Sequence, residues 1–242
     1  MIEVQDLGLI EYSACLKIQE AAVRDIIDSK KNKISFLEKL IICEHEPVVT
    51  VGRAAGASGD ILSDSLPVFE VTRGGRSTLH LPGQIIVYPI LDLDRRGRDL
   101  HKYMRVLEQV IIDTLQDFRI VGESIPEKTG VWVPDSKLAK GEGKIASIGI
   151  AAKEWVSYHG IAVNVTCDLS EFRKINPCGL SPDVMTSVLS ELSDEYKKVW
   201  AIKSQRLLGN VKTRLKDNML EQLDRDFSHF GKNSREAANA DI

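Results

Sequence analysis

Apolar residues recur along the chain with two different periods, and these periods predict the order of the elements. Residues 12–29 place apolar side chains at helical spacing, which predicts an amphipathic helix. Residues 99–118 show the same spacing, and the charged stretch 193–215 is also predicted to be helical. Short apolar runs of the kind found in buried strands occupy residues 40–43, 48–51 and 85–91.

Shorter segments fill the remaining positions. Further strands are predicted at residues 68–72, 131–133, 145–156 and 160–165. The last two of these strands are expected to pair, with a turn near residues 158–160. Small and polar residues predict loops over 53–66 and 134–143.

The order of these elements indicates the fold class. Helices and strands do not alternate strictly, which favours an α+β fold, an α/β two-layer arrangement, over a doubly wound parallel sheet. We expect a single domain over residues 1–216, with a mixed β-sheet flanked by helices. The polar residues 217–242 are expected to form a C-terminal tail.

Composition narrows the classes of function. The chain has 242 residues, of which 43% are apolar and 28% charged, as in ordinary globular proteins. Its net charge of −3 argues against non-specific binding of nucleic acid. Four separated cysteines without a CxxC pair do not form a secreted disulfide framework. We therefore expect a cytoplasmic protein with reduced thiols, no secretory signal and no membrane span.

The stretch 73–84, between two predicted strands, is the first candidate binding element. Paired glycines at 74 and 75 let the backbone turn sharply and expose N–H groups to a ligand. Glycine and proline can also serve only the geometry of a long turn, so both interpretations stay open. The spacing matches neither GxGxxG nor GxxxxGK[ST], and no nucleotide phosphate loop is indicated.

Asn176-Pro177-Cys178-Gly179 is the second candidate element. Proline fixes the backbone before the cysteine and glycine leaves space after it, so the turn could present a reactive thiol. Most single cysteines are instead small buried hydrophobes, and Cys15 and Cys43 are predicted to be of that kind. Cys167 is a competing nucleophile, and Lys144, which opens an apolar strand, is the candidate cation.

Metal and serine chemistry have little support in the sequence. The five histidines show neither HExxH nor zinc-finger spacing, and no GxSxG is present. No metal site is predicted.

Many short motifs, taken in order, resemble the lipoyl(octanoyl) transferases, also called lipoate-protein ligase B. The resemblance covers about residues 5–190. The motifs are Asp6–Tyr12, Glu44–Arg53, Arg73–His80, Pro82–Gln84, Tyr88–Pro89, Gly130–Val133, Lys144–Ala146, Ile148–Gly149, His159–Gly160, Asn164–Val165, Asp168–Leu169, Phe172, Ile175 and Pro177–Gly179.

This resemblance implies a fold, a reaction and its partners. The implied fold is that of the biotin and lipoate protein ligases. The family moves an octanoyl group from acyl carrier protein to a lysine of lipoyl domains, in 2-oxo acid dehydrogenase E2 subunits or the glycine-cleavage H protein. It does so through a Cys–Lys dyad and a cysteine acyl-thioester, as the first step of endogenous lipoate synthesis. A monomer is expected, without ATP, metal or any other cofactor.

The resemblance also assigns roles to residues. The family's cysteine falls on Cys178 and its lysine on Lys144. The implied substrate-binding residues are Arg73, Gly74, Gly75, Arg76, Ser77, Thr78, Leu79, His80, Ser147, Ile148, Gly149, Gly160, Ile161 and Ala162. The sequence departs from the family's usual Gln, Tyr and Gly at Arg76, Leu79 and Leu81.

Three alternative functions and two interpretations of one basic surface stay open. An ATP-dependent lipoate or biotin ligase would not need Cys178, and a cysteine hydrolase would use His80 or His159 as its partner. A non-catalytic acyl-binding module would need neither Cys178 nor Lys144. The basic residues Arg95, Arg96 and Arg98 form either a docking surface for acidic acyl carrier protein or a solvated turn.

Overall fold

The computed structural model describes residues 1–54, 60–139 and 141–227. The strands in this part of the chain are β1 Ile2–Ile10, β2 Glu38–His45, β3 Val48–Val51, β4 Val68–Glu70, β5 Ser77–His80, β6 Gln84–Ile90, β7 Glu123–Ile125, β8 Lys128–Ser136, β9 Gly141–Lys153 and β10 Val156–Asn164. The α-helices are α1 Tyr12–Lys31, α2 Leu100–Gln116, α3 Val188–Glu191, α4 Asp194–Ile202 and α5 Ser204–Phe227. The α+β class with a mixed sheet is confirmed.

Two sheets organise the domain. The larger sheet has seven strands in the order β1-β2-β6-β10-β9-β8-β7. Only the β1–β2 pair in it is parallel among the described pairings. A second sheet, β4-β3-β5, holds the segment before β6 against the turn at residues 177–179. This smaller sheet was not predicted as a separate unit, because its strands have only three or four residues each.

The larger sheet is covered on both faces, which explains its unbroken apolar runs. Along β2, Leu40 and Ile42 face a core that includes residues of α2 and α5, while Ile41 and Cys43 face α1. A strand buried on both sides needs apolar residues at every position rather than at alternate ones. The runs predicted as buried strands are therefore confirmed as central strands.

The hairpin between β9 and β10 turns at a different place from the one predicted. Glu154 and Trp155, both at positive φ, form its two-residue loop, and Val156 pairs with Lys153. This is the backbone of a type I′ turn, which Asn-Gly usually marks, and Glu-Trp at these positions is not a recognisable turn signal. The turn predicted at residues 158–160 is wrong, since His159 and Gly160 lie within β10.

Strands β8 and β9 are both longer than predicted. The connection between them is therefore shorter than the predicted loop 134–143. Strand β8 extends to Ser136 and β9 starts at Gly141. Residue 140 lies outside the described residues, as do residues 55–59 of the predicted loop 53–66. Strand β1 was not predicted either; it is an edge strand in which every residue is exposed or partly exposed.

The C-terminal helix passes through the boundary predicted at residue 216. Met219 and Leu223 of α5 are buried in the main core. Helix α5 thus packs on the domain as far as Leu223, and residues 228–242 of the predicted tail lie outside the described residues. The predicted helix 193–215 is divided between α4 and α5 near Lys203. No helix in the described part of the chain has the length and apolar character needed to span a membrane.

Candidate active site

The cysteine of the Asn-Pro-Cys-Gly turn is presented to solvent by an unusual backbone. Residues Pro177–Gly179 form one turn of 3₁₀ helix, in which Cys178 has φ 55° and Gly179 has φ 76°. Residues other than glycine seldom adopt the left-handed region, and those that do are enriched at functional sites. Cys178 is partly exposed, whereas the other three cysteines are buried. The structure thus presents the predicted thiol at a tight turn.

Lys144 reaches that thiol from the larger sheet. Its Nζ lies 3.8 Å from Sγ of Cys178 and 5.4 Å from the centroid of the Trp132 ring. Lys144 is only 4% exposed, and the structure gives it no carboxylate partner among the described residues. A buried ammonium group without a carboxylate favours a nearby thiolate.

A pocket opens beside this pair and collects most of the predicted site residues. Those that line it are Arg73, Gly75, Arg76, Thr78, His80, Lys144, Ser147, Ile148, Gly149, Gly160, Ile161, Ala162 and Cys178. The remaining lining residues were not predicted as substrate-binding residues; they are Tyr12, Tyr88, Glu127, Lys128, Thr129, Trp132, His159 and Leu180. Four of them lie in motifs of the resemblance, which were a signal for them: Tyr12, Tyr88, Trp132 and His159, the last of which was considered only as the partner of a cysteine hydrolase.

Three predicted residues do not line the pocket. Ser77 and Leu79 alternate with Thr78 and His80 along β5 and therefore face the other way. The Ser77 hydroxyl donates to Asp60 at 3.2 Å, and Leu79 packs in the small core around Phe172. The Gly74 N–H donates to the Ile150 carbonyl at 2.9 Å. These three residues support the loop from behind.

Two glycines shape the wall of the pocket. Gly149 and Gly160 face each other across the β9–β10 pair. A Cβ on Gly160 would lie 2.1 Å from the Val87 carbonyl oxygen, and one on Gly149 would lie 2.8 Å from Cδ of Arg73. Glycine at 149 therefore lets Arg73 lie directly against the sheet, and glycine at 160 lets β10 approach β6 closely.

Arg73 brings a buried positive charge to the pocket. Its guanidinium donates to the Thr50 carbonyl at 2.7 Å, to the Thr50 hydroxyl at 3.0 Å and to the Gly74 carbonyl at 2.9 Å. All of these partners are neutral. Burial lowers the pKa of Arg73, but a guanidinium stays charged in proteins. A buried cation without an anion favours negative charge in the space next to it.

Arg76 and Asp60 form a clamp beside the cysteine turn. The Arg76 guanidinium donates to both Asp60 carboxylate oxygens, at 2.6 and 3.0 Å. The hydrogen bond from Arg76 holds the pKa of Asp60 below its usual value. The Asn176 N–H donates to the Asp60 carbonyl at 2.7 Å, and Arg76 covers Gly179. Arg76, which stands where the family usually has Gln, is thus an ion-pair partner that joins two loops.

Two buried imidazoles of the pocket have unsatisfied nitrogens. His80 Nδ1 and His159 Nε2 have no hydrogen-bond partner among the described residues. Burial lowers the pKa of His159 to about 4 and that of His80 well below the usual value. Both imidazoles are therefore neutral at pH 7. In the described residues, Cys178 Sγ bonds to Lys144 and to neither histidine.

The other cysteines are unsuited to nucleophilic attack. Cys15 and Cys43 are buried in the core, as predicted. Burial raises the pKa of the Cys167 thiol to about 12, so it stays protonated at neutral pH.

The basic stretch after β6 is largely neutralised. Arg95 pairs with Asp92 at 3.3 Å, Arg98 pairs with Asp94 at 2.5 Å, and Arg96 pairs with Glu38. None of the three arginines lines the pocket. A docking role for this surface stays a prediction.

Solved structures share the fold of this chain. It is similar to a lipoate-protein ligase A bound with ATP, with a TM-score of 0.61 and 11% identity, over 96% of this chain and 92% of that one. A bipartite lipoate protein ligase from T. acidophilum gives a TM-score of 0.58 at 14% identity, with the same coverage of each chain. At these identities the likeness establishes the fold alone, that of the lipoate protein ligases.

Sequence relatives establish the family. The family model described as lipoyl protein ligase A/B catalytic domain matches residues 11–205. An octanoyltransferase of Citrifermentans bemidjiense is 42% identical over 210 residues, which cover 85% of this chain and 96% of that protein. An octanoyltransferase of Syntrophotalea carbinolica is 43% identical over 187 residues, which cover 77% and 82%. The chain belongs to the lipoyl protein ligase A/B family, among its octanoyltransferases, and is an acyltransferase.

Proposed function

We propose that the chain transfers an octanoyl group from acyl carrier protein to a lysine of a lipoyl domain, through a thioester on Cys178. The observation that carries this proposal is the 3.8 Å approach of Lys144 Nζ to Cys178 Sγ at the pocket. The acceptors would be E2 subunits of 2-oxo acid dehydrogenases and the glycine-cleavage H protein, in the first step of lipoate synthesis.

The first half-reaction is a thioester exchange. The Cys178 thiolate, held by the Lys144 ammonium, attacks the carbonyl carbon of octanoyl-acyl carrier protein. The bond to the carrier's sulfur then breaks, and Lys144 gives its proton to that departing thiolate. The products are S-octanoyl Cys178, the free carrier thiol and a neutral Lys144 amine.

The tetrahedral intermediate carries a negative charge that needs donors. The Gly74 N–H is already bonded to Ile150, so it is not available. We assign this electrostatic support to Arg73, whose buried guanidinium lines the pocket and has only neutral partners. Preorganised donors of this kind lower the barrier most in a site that excludes water.

The second half-reaction forms the amide. Neutral Lys144 takes a proton from the incoming lysine of the lipoyl domain, which becomes a nucleophilic amine. The amine attacks the thioester carbonyl carbon, so that the C–N bond forms and the C–S bond breaks. The second proton of the attacking nitrogen passes to solvent, and the protonated Lys144 again holds the Cys178 thiolate. The thioester is already an activated acyl donor, so the proposed reaction needs neither ATP nor a metal.

A transfer assay distinguishes this proposal from its alternatives. Octanoyl-acyl carrier protein is incubated with the full-length chain and an unmodified lipoyl domain. The intact mass of the domain is then measured by mass spectrometry. The proposal expects an octanoyl amide on one lysine without ATP. An ATP-dependent ligase would modify the domain only when ATP and free octanoate are supplied. A hydrolase would release free octanoate from the carrier. An acyl-binding module would neither modify the domain nor release octanoate.

A further inference from the structure

Three side chains with metal-binding atoms lie together between α1 and β2. Cys15 comes from α1, and Cys43 and His45 come from β2. All three are buried, and one ligand atom from each lies within 4.8 Å of the others. The proposed transfer reaction uses none of them, so this cluster requires its own explanation.

The distances within the cluster suit a tetrahedral ion. The sulfurs of Cys15 and Cys43 are 3.9 Å apart, and Cys43 Sγ lies 3.6 Å from His45 Nε2. Zinc binds thiolate sulfur at about 2.3 Å and imidazole nitrogen at about 2.0–2.1 Å. Tetrahedral angles then place two sulfurs about 3.8 Å apart, and a sulfur and a nitrogen about 3.6 Å apart. The Cys15–Cys43 and Cys43–His45 pairs already have these separations, and all three ligand atoms lie within 4.8 Å of one another.

Hydrogen bonding prepares the imidazole of His45 as a ligand. Its Nδ1 lies 2.8 Å from the Ile10 carbonyl oxygen, which can only accept, so Nδ1 carries the hydrogen. The lone pair of the neutral ring is therefore on Nε2, the atom that faces Cys43. A backbone carbonyl in this position is the usual partner of a metal-binding histidine.

We propose that Cys15, Cys43 and His45 bind a zinc ion. Each of the two thiols releases one proton to solvent as it binds, and the two thiolates cancel the charge of Zn²⁺. A neutral site is compatible with the apolar surroundings of α1 and β2. Gln19 Nε2, 3.9 Å from Cys15 Sγ, donates a hydrogen bond to that thiolate.

Tyr88 connects this site to the acyl pocket. Its hydroxyl lies 2.9 Å from His45 Nε2, one of the three proposed ligand atoms. Tyr88 also lines the acyl pocket, so the ion would lie directly behind the pocket wall. Binding would tie α1 to the sheet at this point.

The test uses Co²⁺ as a spectroscopic probe in the full-length protein. Cys178→Ser protein, reduced and stripped of metal, removes any contribution from the reactive thiol. We expect one equivalent of Co²⁺ to produce thiolate-to-metal charge-transfer absorption, which Zn²⁺ then abolishes. Cys15→Ala and Cys43→Ala should each lose this absorption, while Cys167→Ala, the matched buried cysteine outside the cluster, should keep it.

Two results would overturn the proposal. One is the absence of charge-transfer absorption in the Cys178→Ser protein. This measurement does not depend on whether the core variants Cys15→Ala and Cys43→Ala fold. The other is full absorption in both folded variants, Cys15→Ala and Cys43→Ala. As an independent measurement, Zn²⁺ should raise the Tm of the Cys178→Ser protein, because binding to the folded state alone stabilises it.

Discussion

The side-chain nitrogen of Lys144 lies 3.8 Å from the sulfur of Cys178, although the two residues come from a strand and a turn 34 positions apart. Gly130 makes this approach possible, because a Cβ there would lie 3.1 Å from Cε of Lys144. The lysine also lies over Trp132 and has no carboxylate partner among the described residues. Its charge is therefore available to the thiol.

Replacement of Lys144 by methionine should slow acylation of Cys178 by about 10²- to 10⁴-fold, as expected for loss of a proton-transfer group. Methionine keeps the length of the stem and removes the charge. Single-turnover mass spectrometry with octanoyl-acyl carrier protein measures the rate. Lys153→Met, at the exposed end of the same strand, is the matched control. Equal rates in the two variants would contradict the role of Lys144.

Replacement of Arg73 by methionine should reduce kcat/KM for transfer by about 10²- to 10³-fold, the usual cost of losing a donor to an oxyanion. Folding stability should also fall, because the carbonyls of Thr50 and Gly74 lose the donor that Arg73 supplies to them. Steady-state kinetics and urea unfolding measure the two effects. Arg206→Met, at an exposed position of α5 outside the pocket, is the control. Unchanged kinetics in Arg73→Met would exclude its electrostatic role.

The Asp60–Arg76 pair should make stability depend on acid pH. The folded protein holds the pKa of Asp60 below the ordinary value of 3.8, so this pair stabilises the fold above pH 3.8. The contribution is lost as pH falls through the lower, folded-state pKa. Urea unfolding at pH 7 and in acid should show a smaller loss of stability in Asp60→Asn than in the parent protein. The same loss in both would show that Asp60 does not carry this dependence.

Gly160→Ala should destabilise the fold by about 1–3 kcal/mol, the typical cost of overpacking. The added Cβ would meet the Val87 carbonyl oxygen at 2.1 Å, and backbone cannot move aside easily. Gly209→Ala is the matched control, because its Cβ meets nothing within 4 Å and it lies inside α5. Helix propensity predicts that Gly209→Ala stabilises by about 1 kcal/mol. Urea unfolding of both variants measures this difference.

Much of the fold could be predicted from patterns of two kinds. The helical period of α1 and α2 and the apolar runs of β2, β3 and β6 identified these elements, because burial on one face or two faces leaves a direct mark on the sequence. The β9–β10 turn left no mark, since Glu154 and Trp155 are unusual residues at positive φ. The continuation of α5 past residue 216 depends on two apolar contacts, Met219 and Leu223, within a polar segment.

The candidate site was less accessible from patterns alone. The turn around Cys178 and the lysine at 144 could each be selected, but their approach depends on strand pairing that no local pattern encodes. The clamp between Asp60 and Arg76 and the cluster of Cys15 with Cys43 and His45 also arise from folding. Residues divided between a helix and a strand have no characteristic spacing, so no sequence pattern marks this cluster.

The most direct test of the covalent mechanism on Cys178 is the intact mass of the full-length protein after incubation with octanoyl-acyl carrier protein in the absence of an acceptor. We expect one octanoyl adduct that hydroxylamine removes and that Cys178→Ser does not form. Cys167→Ala should form the adduct as the parent protein does. An unmodified parent protein, or an adduct that persists in Cys178→Ser, would contradict the covalent mechanism.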